Sequence, residues 1–417
     1  LGETYGLTVE AFEALLARLT LDGLLVVTRW LQTPPSESLR LIATLATALE
    51  RRGVIAAGRA LIAYRGIQTI TVIVRPAGWQ PDELAQARQF IAGRRYDLVW
   101  APDIRDDETN RFNRLPRPAD YEAMAALLTT ADRRAFYAGY PFAITPPTDD
   151  RPFFFHFFRW GQMADVVAGL GHTWQPFGGS GYLVLLALLA LVLLLSAGLI
   201  AAPALLARPV DRAPTPGLAG RRLMVYFGSL GLAFLFVEIP LIQRNILLFG
   251  HPTYAFSIVV ILLLLCASLG AQISTAVARR PGRICAALAL AVAVIALAGP
   301  RLTTVMLGWS PAGRLLATVV MLAPPAILMG MPFPLGLAAI AAGGPRATAW
   351  AWTVNGCASV VSAVLAALLA LSWGFTAVLL LGAAAYAVAG LMLSAGGSPR
   401  AARTASGSDR PGRATYR

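Results

Sequence analysis

Two groups of residues in this 417-residue chain have the types and spacing to do chemistry. The first is Glu238, a lone carboxylate inside an apolar run that starts at Leu223, followed closely by Pro240, Gln243 and Arg244. A charged side chain in hydrocarbon costs at least about 2.5 kcal/mol, so it keeps either a partner or a task. Two readings are open: a cation or proton site between helices with Arg244, Gln272 or Asn355 nearby, or an ion pair with Arg244 that only anchors the helix. The second group is Asp149, Asp150 and Arg151, which open the run DDRPFFF. Adjacent ionised carboxylates can hold a polyamine or another small cation. Alternatively one of them caps the next turn, Arg151 neutralises the pair, and the aromatics from Phe153 to Trp160 lie at a membrane surface. His156 and His172 read as packing in that aromatic zone. Cys266, Cys285 and Cys357 lie in apolar runs without a CxxC, so neither a disulfide nor a metal site is predicted.

The elements that position these residues divide the chain in two. A hydrophobic content of 57% and a mean hydropathy of +0.62 are those of a membrane protein. Residues 181–417 hold 16 Arg against Asp211, Glu238 and Asp409, which accounts for the whole net charge of +13. Those arginines sit in short connections between apolar runs, where they orient helices, so nucleic acid is excluded as a partner. Seven runs are candidate spans, the fourth short of the roughly 20 residues a span needs, with six spans as the alternative count: Tyr182 to Pro203, Leu223 to Gln243, Tyr254 to Val277, Ile284 to Ala298, Leu315 to Ile340, Trp350 to Leu371 and Phe375 to Ser394. Thirteen arginines follow spans one, three, five and seven, and Arg244, Arg301 and Arg314 follow the others. The arginine-rich set, including the basic tail 397–417, is expected to be cytoplasmic. An odd number of spans then puts residues 1–180 on the opposite side. Pro324, Pro325, Pro332 and Pro334 predict a broken helix of the kind that lines cavities. Asn355, Ser359, Ala363 and Ala367, spaced by four, form a close-packing face, and Glu238 is expected to face this second segment.

Ahead of the membrane, residues 1–172 read as α/β: a helix over Thr8 to Leu19, a short buried strand Leu24 to Thr28, a helix over Glu37 to Arg51, a hairpin of Ala60 to Tyr64 with Thr69 to Val74, a helix over Pro81 to Ala92 and a strand at YDLVW. Asp103 to Asp120 is a polar loop, either a lid or a solvated excursion. Ligands of open α/β sheets lie beyond the carboxyl ends of the strands, which nominates Arg29, Trp30 and Glu37 as a pocket lining. The plain alternative is that Trp30 packs on the sheet while Arg29 pairs with Glu37. The opening at Leu1, in mid-pattern, reads as the C-terminal part of a longer protein.

The order LTLDGLLVVTRW, helix and hairpin resembles the second half of a class I methyltransferase-like domain, and is similar to the spermidine synthase-like proteins fused to membrane helices. DDRPFFF, EIPLIQRNILLFGHPTYAFS, MGMPFP and WTVNGCASVVSAVLA resemble stretches of the same membrane-fused family. The resemblance implies a partial Rossmann-like methyltransferase-type domain (1–172), a polytopic all-α bundle of about seven helices (173–396) and a disordered tail (397–417), in a bacterial inner (plasma) membrane. It also implies S-adenosylmethionine or its decarboxylated form as cofactor, no metal, and an aminopropyl- or methyl-transferase activity, although neither the ribose-binding acid nor the base of that family is located here. Both cofactors are cytosolic, which conflicts with the charge-derived side of residues 1–180. The alternative function is a membrane transporter or scaffold carrying a degenerate, non-catalytic α/β domain.

Overall fold

The computed structural model of the chain describes residues 2–20, 22–162, 180–206, 220–277, 281–341 and 344–394. His172 and the tail from Ala395 lie outside them. The extramembrane part contains α1 (Val9–Leu16), β1 (Leu25–Trp30), α2 (Glu37–Arg51), β2 (Leu61–Arg65), β3 (Thr69–Val74), α3 (Pro81–Gly93), β4 (Asp97–Trp100), α4 (Ala119–Thr129) and α5 (Arg133–Gly139). Local chemistry sets the ends of these elements. Thr8 accepts the Ala11 amide to start α1, and Glu83 reaches back to the Gln80 amide at 2.9 Å to start α3 behind Pro81.

The strands form one sheet in the order β1-β3-β2-β4, with every neighbouring pair antiparallel. Because β1 and β2 both oppose β3, they run the same way, with α2 as the crossover between them. One face carries Leu61, Ala63, Ile70, Val72 and Val74 against Phe12, Leu41, Leu45 and Met124. On the other face, Ile62 and Leu98 pack on Leu84 and Ile91 of α3. Helix α3 covers β2 and β4 but does not extend over β1, where Val26 is 56% exposed and Trp30 60%. The strand read as buried is therefore a sheet edge with one open face. Its alternation of half-buried and exposed positions is the pattern of a one-sided strand.

The polar loop after β4 is tied down. The Asp97 carboxylate, fully buried, accepts the amides of Arg111, Phe112 and Asn113 at 2.6 to 2.8 Å. Burial works to raise the Asp97 pKa, but those amide bonds and nearby Arg65 outweigh it, and the net shift is downward. Arg65, also buried, lies 3.6 Å from Asp97 and 3.9 Å from Asp120.

Among the described residues, seven helical stretches are long and apolar enough to cross a membrane. They comprise α6 (Ser180–Leu206), α7 (Gly220–Phe249), α8 (Pro252–Val277), α9 (Pro281–Met306), the pair α10 (Pro311–Gly330) and α11 (Pro332–Ile340), α12 (Gly344–Trp373) and α13 (Phe375–Ser394). Helix α7 is central, packing on α8, α12 and α13, whereas α6 lies at the periphery. The expected break falls at Met331. Pro332 and Pro334 occupy the first turn of α11, where a missing N–H is tolerated.

Candidate functional site

The acid pair of DDRPFFF lies where the sheet domain meets the bundle. Asp150 Oδ1 accepts the Arg244 guanidinium of α7 at 2.7 Å, and the Thr376 amide and hydroxyl of α13 at 2.9 and 2.7 Å. The Asp150 carbonyl takes the Phe375 amide at 2.9 Å. Asp150 thus caps the N-terminus of α13 from another domain, satisfying amides that a helix start leaves open and placing negative charge at the positive end of its dipole. Gly374, at φ +88°, permits the approach, since a Cβ there would stand 2.5 Å from Asp150 Oδ2. Arg151 donates to the Ser372 carbonyl at 3.3 Å, Tyr5 donates to the Gln243 carbonyl at 2.8 Å, and Phe153 meets Phe375 edge-on. His156 rests against the Tyr182 ring. Burial first, then Arg40 and Arg151, depress its pKa to about 4, leaving it neutral at pH 7.

Asp149 points elsewhere. It accepts the Thr8 hydroxyl at 2.7 Å and borders a cavity of about 330 Å³ between Tyr5 and Glu10 on the domain side and Arg244 and Arg301 on the bundle side. Burial, with Glu10 and Glu13 adding repulsion against the Thr8 bond, raises its pKa to about 6. A carboxyl raised in the folded state is protonated there while the unfolded chain has already ionised, so folding is weakened as pH rises from about 4 to 6 and stays weakened above. Asp149→Asn should therefore stabilise the protein at pH 7.5 by about 1 kcal/mol after allowance for solvent screening, with little effect at pH 4; thermal melts at the two pH values measure this.

The residues nominated at the end of β1 come together in part. Arg29 Nε binds buried Glu37 at 2.6 Å, and its guanidinium lies 5.3 Å from the Phe155 ring centre. Trp30 stands off the sheet, exposed. Arg29 also lies near the Phe154 and Phe155 rings, and neither it nor Trp30 nor Glu37 borders the cavity that Asp149 and Asp150 line.

The chain matches no protein-family model, no curated protein and no solved structure. What the site can do rests on its own geometry.

Within the membrane, Arg244 is committed to Asp150, to Thr376 and to the carbonyls of Ile295 and Ala296, so it does not pair with Glu238. Six residues along an α-helix turn the chain to about 120° from the starting face, which aims the two side chains apart. Gln272 is exposed on α8. Glu238 is half-buried, and among the described residues it has no ion-pair partner. One turn earlier on the same face, Phe234 borders a cavity of about 470 Å³ whose lining includes Gly330, Phe333, Asn355, Ser359 and Tyr386. Asn355 and the Pro-broken segment thus share one chamber, whose wall on α7 lies one turn before Glu238. The close-packing face of α12 meets α7: Ser359 donates to the Gly231 carbonyl at 3.3 Å and Ser362 to Leu232 at 2.7 Å.

Thr376, Tyr5, Arg40 and Tyr386 were not singled out in the sequence. Arg40, on α2 and 3% exposed, donates to the Phe153 and Phe154 carbonyls at 3.1 and 2.6 Å and so holds the aromatic run in place. Its pKa falls to about 9, chiefly through burial, so it stays charged at pH 7. Each partner lies about a hundred residues or more away, beyond any spacing rule.

Proposed function

We propose that this is an integral membrane protein carrying a spermidine synthase-like, methyltransferase-type domain fastened rigidly to a seven-span bundle. The observation that carries the reading is the sheet: β1 and β2 run the same way through crossover α2, with antiparallel β3 inserted between them. That order supports the terminal half of such a domain, and the Arg29–Glu37 pair lies at the carboxyl end of β1, where a ligand of this fold class would lie. Isothermal titration of the full protein, as its own gene encodes it, with S-adenosylmethionine and with the decarboxylated form is expected to give saturable binding of one of them. Absence of heat with both overturns the reading.

A second reading, a solute-handling bundle capped by a non-catalytic domain, is favoured by a specific asymmetry. The sheet domain docks on the bundle end that carries Arg244, Pro300 and Thr376. By the sequence count, three arginines follow spans two and four, and thirteen follow spans one, three, five and seven. The charge rule makes the arginine-rich end cytoplasmic, which sets the domain apart from cytosolic S-adenosylmethionine. Labelling of a single cysteine introduced at exposed Ile55, in sealed cells with the three native cysteines replaced, separates the two. Modification by an impermeant maleimide favours the second reading, and protection the first.

A further inference from the structure

The cavity beside Glu238 has a one-sided chemistry. Its aromatic walls are Phe234 of α7, Phe333 of α11 and Tyr386 of α13, and its polar side chains include the Asn355 amide and the Ser359 hydroxyl of α12 and the Ser268 hydroxyl of α8. Gly330 adds a backbone acceptor, because Pro334, four residues on, has no N–H to offer its carbonyl. No basic side chain borders the chamber among the described residues. Glu238 is not itself in the lining; it stands one helical turn after Phe234 on about the same face of α7, and helical side chains lean toward the N-terminus of their helix, the direction of this space. Arg244, the nearest cation in sequence, is held elsewhere by Asp150 at 2.7 Å.

A carboxylate at membrane depth, aromatic faces and carbonyl-type acceptors without a counter-cation are the complement of a positively charged organic group. Aromatic rings attract such a group through their negative faces, most strongly when water is excluded. A bare metal ion would find too few oxygen ligands here. We propose that the chamber between α7, α8, α10, α11, α12 and α13 binds an organic ammonium ion, with Glu238 as its counter-ion and Phe234, Phe333 and Tyr386 as its cage. The site belongs to the bundle alone and is independent of what the sheet domain binds.

The test uses the full protein in lipid nanodiscs with benzyltrimethylammonium as probe and benzyl alcohol as its uncharged counterpart. Saturable binding of the cation is expected, at least tenfold tighter than of the alcohol. Glu238→Gln should lower the affinity at least tenfold, and Phe333→Leu severalfold. Equal affinity for cation and alcohol, or an unchanged affinity in Glu238→Gln, overturns the proposal. A readout that needs no variant is carbodiimide labelling of Glu238, followed by mass spectrometry. The cation should slow labelling at least tenfold where the alcohol does not, and equal labelling with both overturns the assignment even if the Gln variant fails to fold.

Discussion

Replacing Asp150 by Ala is expected to cost about 3 kcal/mol and to loosen the sheet domain from the bundle. The Arg244 side chain is 9% exposed and Asp150 29%. Removing the carboxylate leaves a desolvated guanidinium with only the Thr376 hydroxyl and the long contacts to Ile295 and Ala296. It also uncaps α13, since the Thr376 amide loses its acceptor. Asp150→Asn keeps an acceptor but no charge, and its cost should be about half. Asp150→Ala with Arg244→Met should recover most of the loss, because the penalty lies in the orphaned charge more than in the missing attraction. Thermal unfolding of the wild type, Asp150→Ala, Arg244→Met and the double variant gives the cycle. Limited proteolysis around Pro152 tells loosening of the junction from global unfolding: only Asp150→Ala should be cut faster at temperatures well below its midpoint. An additive double variant, with no recovery, would mean that Asp150 and Arg244 are neighbours without coupling.

The same junction shows what a sequence can and cannot disclose. The spans were legible because each must supply an apolar run of membrane length, and the run from Phe375 to Ser394 matches its helix end for end. The hairpin was legible from β-branched residues about Arg65-Gly66, whose Gly66 amide closes the turn on the Thr69 carbonyl at 2.9 Å. The edge position of β1 was hidden, because apolar residues on both faces of Leu24 to Thr28 read as a buried strand; only the reach of α3 decides which neighbours cover them. For DDRPFFF, the sequence left open a cation site or a cap on the next turn; in the structure Asp150 caps α13 instead. The capped helix lies 226 residues further on, a distance no local pattern spans. The Glu238–Arg244 pairing is different, since helical geometry alone sets those side chains apart, and the sequence already held the argument against it.

The largest effect within the bundle is expected from Gly330→Ala. In lipid there is no hydrophobic gain in bringing helices together, so close approach depends on small residues that let backbones touch. Helices α8 and α10 cross at such a point. A Cβ on Gly330 would overlap the Ala267 carbonyl, and one on Gly270 would overlap the Ile327 carbonyl, so two glycines three residues from the opposing carbonyls interlock the pair. Both obstructing atoms are backbone and cannot rotate away. Either alanine variant must therefore part the helices, at a cost of about 3 kcal/mol or more by analogy with overpacked cores. Gly356 is the control: it lies in α12 with nothing within 4 Å of the place a methyl group would take, and alanine there should be neutral or stabilise by up to about 1 kcal/mol through helix propensity. Denaturation in mild detergent measures both. Because Gly330 also borders the chamber beside Glu238, parting α8 from α10 should weaken ammonium binding along with stability, whereas Gly356→Ala leaves binding unchanged. Loss of stability with full retention of binding would place the chamber's integrity on α7 and α12 instead of on this crossing.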